Sequence, residues 1–167
     1  MIHAREKDFE EVKKIFQQHK EWFGFVRMDY VQRMIMNNGV KFNFPVSFDN
    51  KHVSYNLLIF EENVVISYTI IRRSHRMGNV KTFKGDYIIH QIGAKNRDGS
   101  ASRILQKFFQ EYGTTSLTVR SDNVIAKKFY LKNNMKLVGE CTFSKGTIPG
   151  DVYSYVDDTP KIGALGI

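Results

Sequence analysis

The chain has 167 residues, 42% of them hydrophobic and 25% charged, with a net charge of +8. That length suits one domain that buries its own core, and the single cysteine, Cys141, excludes an internal disulfide. No apolar run reaches the ~18 residues of a membrane span, and the opening residues contain no signal-like apolar segment, so a cytoplasmic protein without membrane contact is expected. The positive balance points to an anionic partner: nucleic acid, a phosphorylated cofactor or an acidic protein.

Residues 2–5 read as a short first strand. Asp8 stands where a helix N-cap belongs, and Phe9, Val12, Ile15, Phe16 and His19 follow helical spacing. Residues 22–26 form an apolar connector. Asp29 is expected to cap a second helix that runs to Met36 and is ended by Asn37, Asn38 and Gly39. Residues 40–50 are aromatic and irregular, and Pro45 argues against a central strand there. Residues 52–60 and 64–73 read as two strands joined by a hairpin at Glu61, Glu62 and Asn63, with those two glutamates solvated. Residues 74–86 are polar and basic, a loop or a ragged hairpin extension. A strand at 87–94 then meets the polar loop Lys95-Asn96-Arg97-Asp98-Gly99-Ser100-Ala101. The helix after it has Ile104, Leu105, Phe108 and Phe109 on one face. A strand at 116–119, a helix carrying Asn123, Ala126, Phe129 and Tyr130, and a hairpin of 137–144 with 151–156 complete the domain.

The loop at 95–101 is the most informative segment. Small residues at a strand-to-helix junction let backbone N–H groups approach a ligand, and the helix N-terminus adds about half a positive charge. The pattern suits a phosphate or pyrophosphate. Gly-Lys-Ser/Thr is absent, which excludes a Walker-type nucleotide site. His19, His52 and His75 make no metal-ligand spacing with Cys141 or with one another, so no metal is expected. Outside the loop, Arg72, Arg73 and Arg76, with Lys81 and Lys84 beyond, form the best anion-binding run.

The order of elements, the Gly99-Ser100-Ala101 turn and the Asn123, Ala126, Phe129-Tyr130 helix followed by Leu137-Val138-Gly139 resemble the GNAT superfamily of N-acetyltransferases. The resemblance spans nearly the whole chain and is strongest over 85–140. It implies a single-domain α/β fold over 1–157, a mixed, largely antiparallel sheet with helices on both faces; the tail at 158–167, with a proline and two glycines, is expected to be poorly ordered. The resemblance also implies acetyl-CoA as cofactor, held by Ile92, Arg97, Asp98, Gly99, Ser100, Ala101, Ser102 and Asn123. Two positions depart from the family pattern: Asn96 stands where the family has Arg or Gln, and Met135-Lys136-Leu137 replaces its Gly-Phe turn. By the same resemblance Tyr130 protonates the leaving thiolate. His90, inside the strand before the loop, is the candidate general base, with a water-mediated route as the alternative. The acceptor is an amine, on a protein, an aminoacyl-tRNA, a polyamine or another small molecule, and the enzyme is a monomer or homodimer. Two other readings remain open: a DNA-base-modifying enzyme of the phage Mom type, which the basic balance, the irregular loop motif and Phe42-Asn43-Phe44 would suit, and a catalytically idle binding module of the same fold.

Overall fold

Alternating apolar residues from six strands build one sheet in the computed structural model, which describes residues 1–24, 26–45 and 56–158. A 3-10 turn (Glu6–Asp8) leads into α1 (Phe9–Gln18), α2 (Lys20–Phe23) and α3 (Met28–Phe42). There follow β1 (Leu57–Glu61), β2 (Val64–Ile70), β3 (Arg76–Met77), β4 (Val80–Lys81), β5 (Tyr87–Ala94), α4 (Ser100–Tyr112), β6 (Thr115–Arg120), α5 (Val124–Lys132), β7 (Lys136–Phe143) and β8 (Ile148–Tyr155). The main sheet has the order β1-β2-β5-β6-β8-β7, and β3 and β4 form a separate small hairpin. Every neighbouring pair is antiparallel except β5 and β6, because α4 carries the chain back between them.

Both faces of the sheet are covered. On one, Ile104, Leu105, Phe108 and Phe109 of α4 and Tyr130 of α5 pack with Ile59, Ile66, Tyr68, Ile89, Leu117 and Tyr153. On the other, Val12, Ile15 and Phe16 of α1 and Val31, Met34 and Ile35 of α3 pack on Leu58 and Val65. The alternation along β1 and β2 explains the division: adjacent residues feed opposite cores. Glu62 and Asn63, with φ of 50° and 59°, make the tight two-residue turn between these strands.

Several sequence expectations need correction. Residues 2–5 make a single bridge, His3 to Ile59, before the chain turns into the 3-10 segment. Asp8 does stand at the N-cap position of α1, but its side chain makes no capping bond to the helix; its carboxylate accepts the Arg5 N–H at 2.9 Å instead. The second long helix does not stop at Met36. Asn37, Asn38 and Gly39 are buried within it, and the helix ends at Asn43 with φ 58°. The reason is tertiary: the Asn38 amide donates to Ala4 O and Leu58 O at 3.0 and 2.7 Å and accepts the Leu58 N–H at 3.1 Å. An asparagine pair that would break an isolated helix instead ties this one to β1.

The second strand of the first hairpin ends at Ile70, since the Ile71 N–H turns to Asp86 O. Residues 52–55 of the expected first strand, residues 46–50 of the aromatic segment and most of the expected tail lie outside the described residues. The segment 74–86 is a hairpin, and its tip reaches the sheet edge: Asn79 N–H donates to Glu140 O at 3.1 Å and Asn79 Oδ1 accepts the Glu140 N–H at 2.8 Å. This covers part of the β7 edge. Glu61 is buried rather than solvated, bound by Lys107 and by the Ile2 N–H.

Candidate active site

β5 and β6 pair over only three positions, 87–89 with 115–117. Beyond them β5 continues to Ala94 on β2, and β6 continues to Arg120 on β8, so the two parallel strands part company. A bulge marks the point of departure. Ser67 faces Gln91 while Tyr68 faces Ile89, which leaves His90 as the extra residue. Bulges bend and twist the strand that carries them. Lys95 N–H and Gln91 N–H both turn toward the β2 side, to Asn63 O and Ser67 Oγ. Strand alternation therefore aims the Ile92 N–H into the gap, where no β6 partner waits.

Both helices of this region start at the mouth of the gap, since α4 follows β5 and α5 follows β6. Gly99 caps α4 at φ 83°, a left-handed conformation that other residues rarely adopt. Ser100 is buried, and its N–H donates to Asp98 Oδ1 at 3.0 Å. The Ser100 hydroxyl and N–H together hold the Asp98 carboxyl below its ordinary pKa. Arg97 and Ala101 lie in the same turn, Arg97 exposed. The Ser102 hydroxyl is directed at α5, where it accepts from Asn133 Nδ2 at 3.2 Å. Asn123 caps α5 by accepting the Ala126 N–H at 3.2 Å. Arg97 to Ser102 are consecutive in this turn and the start of α4, while Asn123 carries a structural duty of its own.

Tyr130 belongs to the core, against the rings of Phe129 and Tyr153. Burial pushes its pKa well up, so the phenol keeps its proton. Its hydroxyl makes no hydrogen bond among the described residues.

The comparisons agree with this geometry. A GNAT-family acetyltransferase from Streptococcus agalactiae superposes with a TM-score of 0.68 at 11% identity, over 94% of each chain. The GNAT acetyltransferase fold is the fold of this chain. The aminoglycoside N(6')acetyltransferase of Legionella pneumophila gives 0.64 at 12% identity, covering 92% of this chain and 88% of its own. NAA60 of Arabidopsis thaliana, solved with acetyl-CoA, gives 0.61 at 14% identity over 93% and 97%. No protein-family model matches the sequence, and no curated protein matches it significantly.

Within this GNAT fold, α2 bridges the mouth of the gap. His19 Nε2 lies 2.8 Å from Ala94 O on β5, and the Arg120 guanidinium of β6 sits 5.4 Å from the Trp22 ring centre. Gly93 permits the approach: a β-carbon there would lie 2.8 Å from both His19 and Phe23.

His90 ends a chain of hydrogen bonds that sequence reading missed. Thr69 Oγ1 donates to Asn56 Oδ1 at 2.8 Å, which uses its only hydrogen. At its 2.5 Å contact with His90 Nε2 the imidazole must therefore donate. Asn56 Nδ2 donates to the Tyr30 hydroxyl at 2.9 Å, which donates to Gln91 Oε1 at 3.5 Å. The chain sets the neutral ring as the Nε2–H tautomer and leaves its lone pair on Nδ1. The residue keeps exposed surface, yet crowding by protein around the ring lowers its pKa. No local motif announces Tyr30, Asn56 and Thr69; they meet only because α3 crosses β1 and β2.

The basic run is dispersed. Arg73 is exposed in the link after β2, and Arg76 is exposed on β3, where it pairs with Lys81 of β4. Arg72 lies near enough to Lys41 to add to the lowering of the latter's pKa that burial begins. Among the described residues no cluster of His, Cys, Asp and Glu could hold a metal ion, and no helix is long and apolar enough to cross a membrane.

Proposed function

We propose that this protein is an acetyl-CoA-dependent N-acetyltransferase acting on an amine. The observation that carries the reading is the parting of β5 from β6 after three pairs, with the α4 N-terminus at its mouth. The residues fit the cofactor. The Gly99 turn and the N–H groups of Ala101 and Ser102 suit its pyrophosphate, the free Ile92 N–H suits a chain laid along the gap, and Arg97 supplies nearby positive charge. Asn123 Nδ2 remains available beside its capping role. Bound acetyl-CoA would supply the activated acetyl thioester.

His90 Nδ1 takes the proton from the acceptor amine, directly or through water, while Thr69 and Asn56 hold the ring in the required tautomer. Tyr130 holds a proton at its phenol oxygen for a departing thiolate. Calorimetric titration with acetyl-CoA tests the cofactor assignment. At 100 times its dissociation constant the ligand should add about 2.7 kcal/mol of stability. Gly99→Val should abolish that gain. It should also destabilise the apo protein by ~1–3 kcal/mol through the strained φ at that position, so the ligand-induced gain is measured against the variant's own apo stability. The absence of any gain in the wild-type protein would remove the assignment. The exposed Arg73 and Arg76 support a second reading in which the modified amine belongs to a nucleic acid.

A further inference from the structure

A cavity of about 340 Å³ opens beside the gap, between the α2–α3 connection and β5. Phe23 and Tyr30 give it aromatic walls, Arg27, Asp29 and Arg33 charge it, and Gln91 contributes from the strand. Gln91 lies two residues beyond Ile89, the last β5 residue paired to β6, so the cavity adjoins the place where the strands part.

Its polar groups are almost all donors. Asp29 is already committed, with Oδ1 3.2 Å from Arg27 Nε and Oδ2 2.9 Å from Arg33 Nη2. Two guanidiniums share one carboxylate, so the cluster keeps one net positive charge. Each guanidinium has further N–H groups beyond the one that Asp29 engages. Gln91 Oε1 is likewise committed, accepting from Ser67 and from Tyr30. That leaves the Gln91 Nε2 amide hydrogens for a ligand. A cavity with spare guanidinium and amide donors, no uncommitted carboxylate and aromatic walls is matched by an anion attached to an apolar body.

We infer that this cavity selects acceptor amines that carry an acidic group, a carboxylate or a phosphate, on a compact apolar body. The inference rests on the acetyltransferase reading for the role of the amine, but the anion site can be tested without it. The opposing account is that Arg27, Asp29 and Arg33 only stabilise the first turn of α3.

The probes are 4-(aminomethyl)benzoate, 4-(aminomethyl)phenyl phosphate and the neutral 4-(aminomethyl)benzamide, which share a ring and an amine. Their binding is measured by calorimetry on the wild-type protein and on the Arg27→Gln, Arg33→Gln double variant. At least one acidic probe should bind about tenfold tighter than the amide, and the double variant should bring that ratio near one. Whichever acidic probe is favoured identifies carboxylate or phosphate as the source. Equal binding of all three probes by the wild-type protein overturns the proposal, as does a preference that survives in the double variant, as does failure of every probe to bind. Parallel titration with acetyl-CoA separates the two ideas. If acetyl-CoA fails to bind while the acidic probes are favoured, the enzyme reading falls and the anion site stands. If acetyl-CoA binds and the acidic probes are not favoured, only the anion site falls.

Discussion

Asp98 puts a negative charge into the loop before α4, where its carboxyl is held below the ordinary range by Ser100. A carboxylate at a helix N-terminus is favourable for the helix, and here it also accepts the Ser100 N–H. Both effects act against a pyrophosphate at the same place: one backbone donor is taken, and a like charge stands nearby. Asp98→Ala frees the donor and removes the charge, so acetyl-CoA should bind more tightly. Asp98 is fully exposed, so solvent and salt screen its charge and the expected gain is modest, a few-fold at low salt. Calorimetry at two salt concentrations checks it, because the charge component of the gain shrinks as salt rises. Weaker binding in the variant would instead make the Asp98 turn the device that shapes the loop. The family resemblance counts Asp98 among the residues that hold the cofactor; the bond from the Ser100 N–H, visible only in the turn geometry, argues for the opposite role.

Among the secondary elements, what could be read from the sequence was what local periodicity dictates. The spacing of Ile104, Leu105, Phe108 and Phe109 placed α4, and the apolar run at 87–94 matched β5 because both faces of that strand are covered. The end of α3 was misread because Asn38 draws its partners from Ala4 and Leu58, distant in sequence. The His90 chain and the cavity were invisible for the same reason, being assembled from four elements. The opening segment has a testable consequence of such packing. His3 lies against the Phe42 ring, bonds to the Tyr68 hydroxyl at 2.6 Å, and is pushed by burial from 6.5 down to about 4. The folded state therefore resists protonation that the unfolded chain accepts. Stability should be full above about pH 6.5, fall as pH drops toward about 4, and level off below that for this group. Allowing for its partial exposure, the loss should be ~2 kcal/mol. Denaturant midpoints measured across this window should show the slope, and His3→Gln should flatten most of it. His90, also lowered by its surroundings, leaves a remainder of the same sign.

The whole molecule carries a net charge of +8, and the question is whether that excess is concentrated into a binding surface. The fold argues for dispersal in part, because the β3–β4 hairpin docks its tip on β7 while Arg72 stays near Lys41. Exposed Arg73 and Arg76 still present charge to solvent on one connection. If that connection contacts duplex DNA, affinity must fall steeply with salt, since each neutralised phosphate releases counterions. Replacing Arg72, Arg73 and Arg76 together by glutamine should then flatten the slope of log affinity against log salt by about 0.9 per lost phosphate contact. Fluorescence anisotropy on a labelled duplex over a range of salt measures it directly. A slope that does not change would assign any DNA affinity to the charge of the molecule at large and return the connection to a solvated surface. In that case the anionic partner of this basic protein is sought at the α4 N-terminus and in the Arg27–Arg33 cavity, where donors converge on one place rather than spreading over a surface.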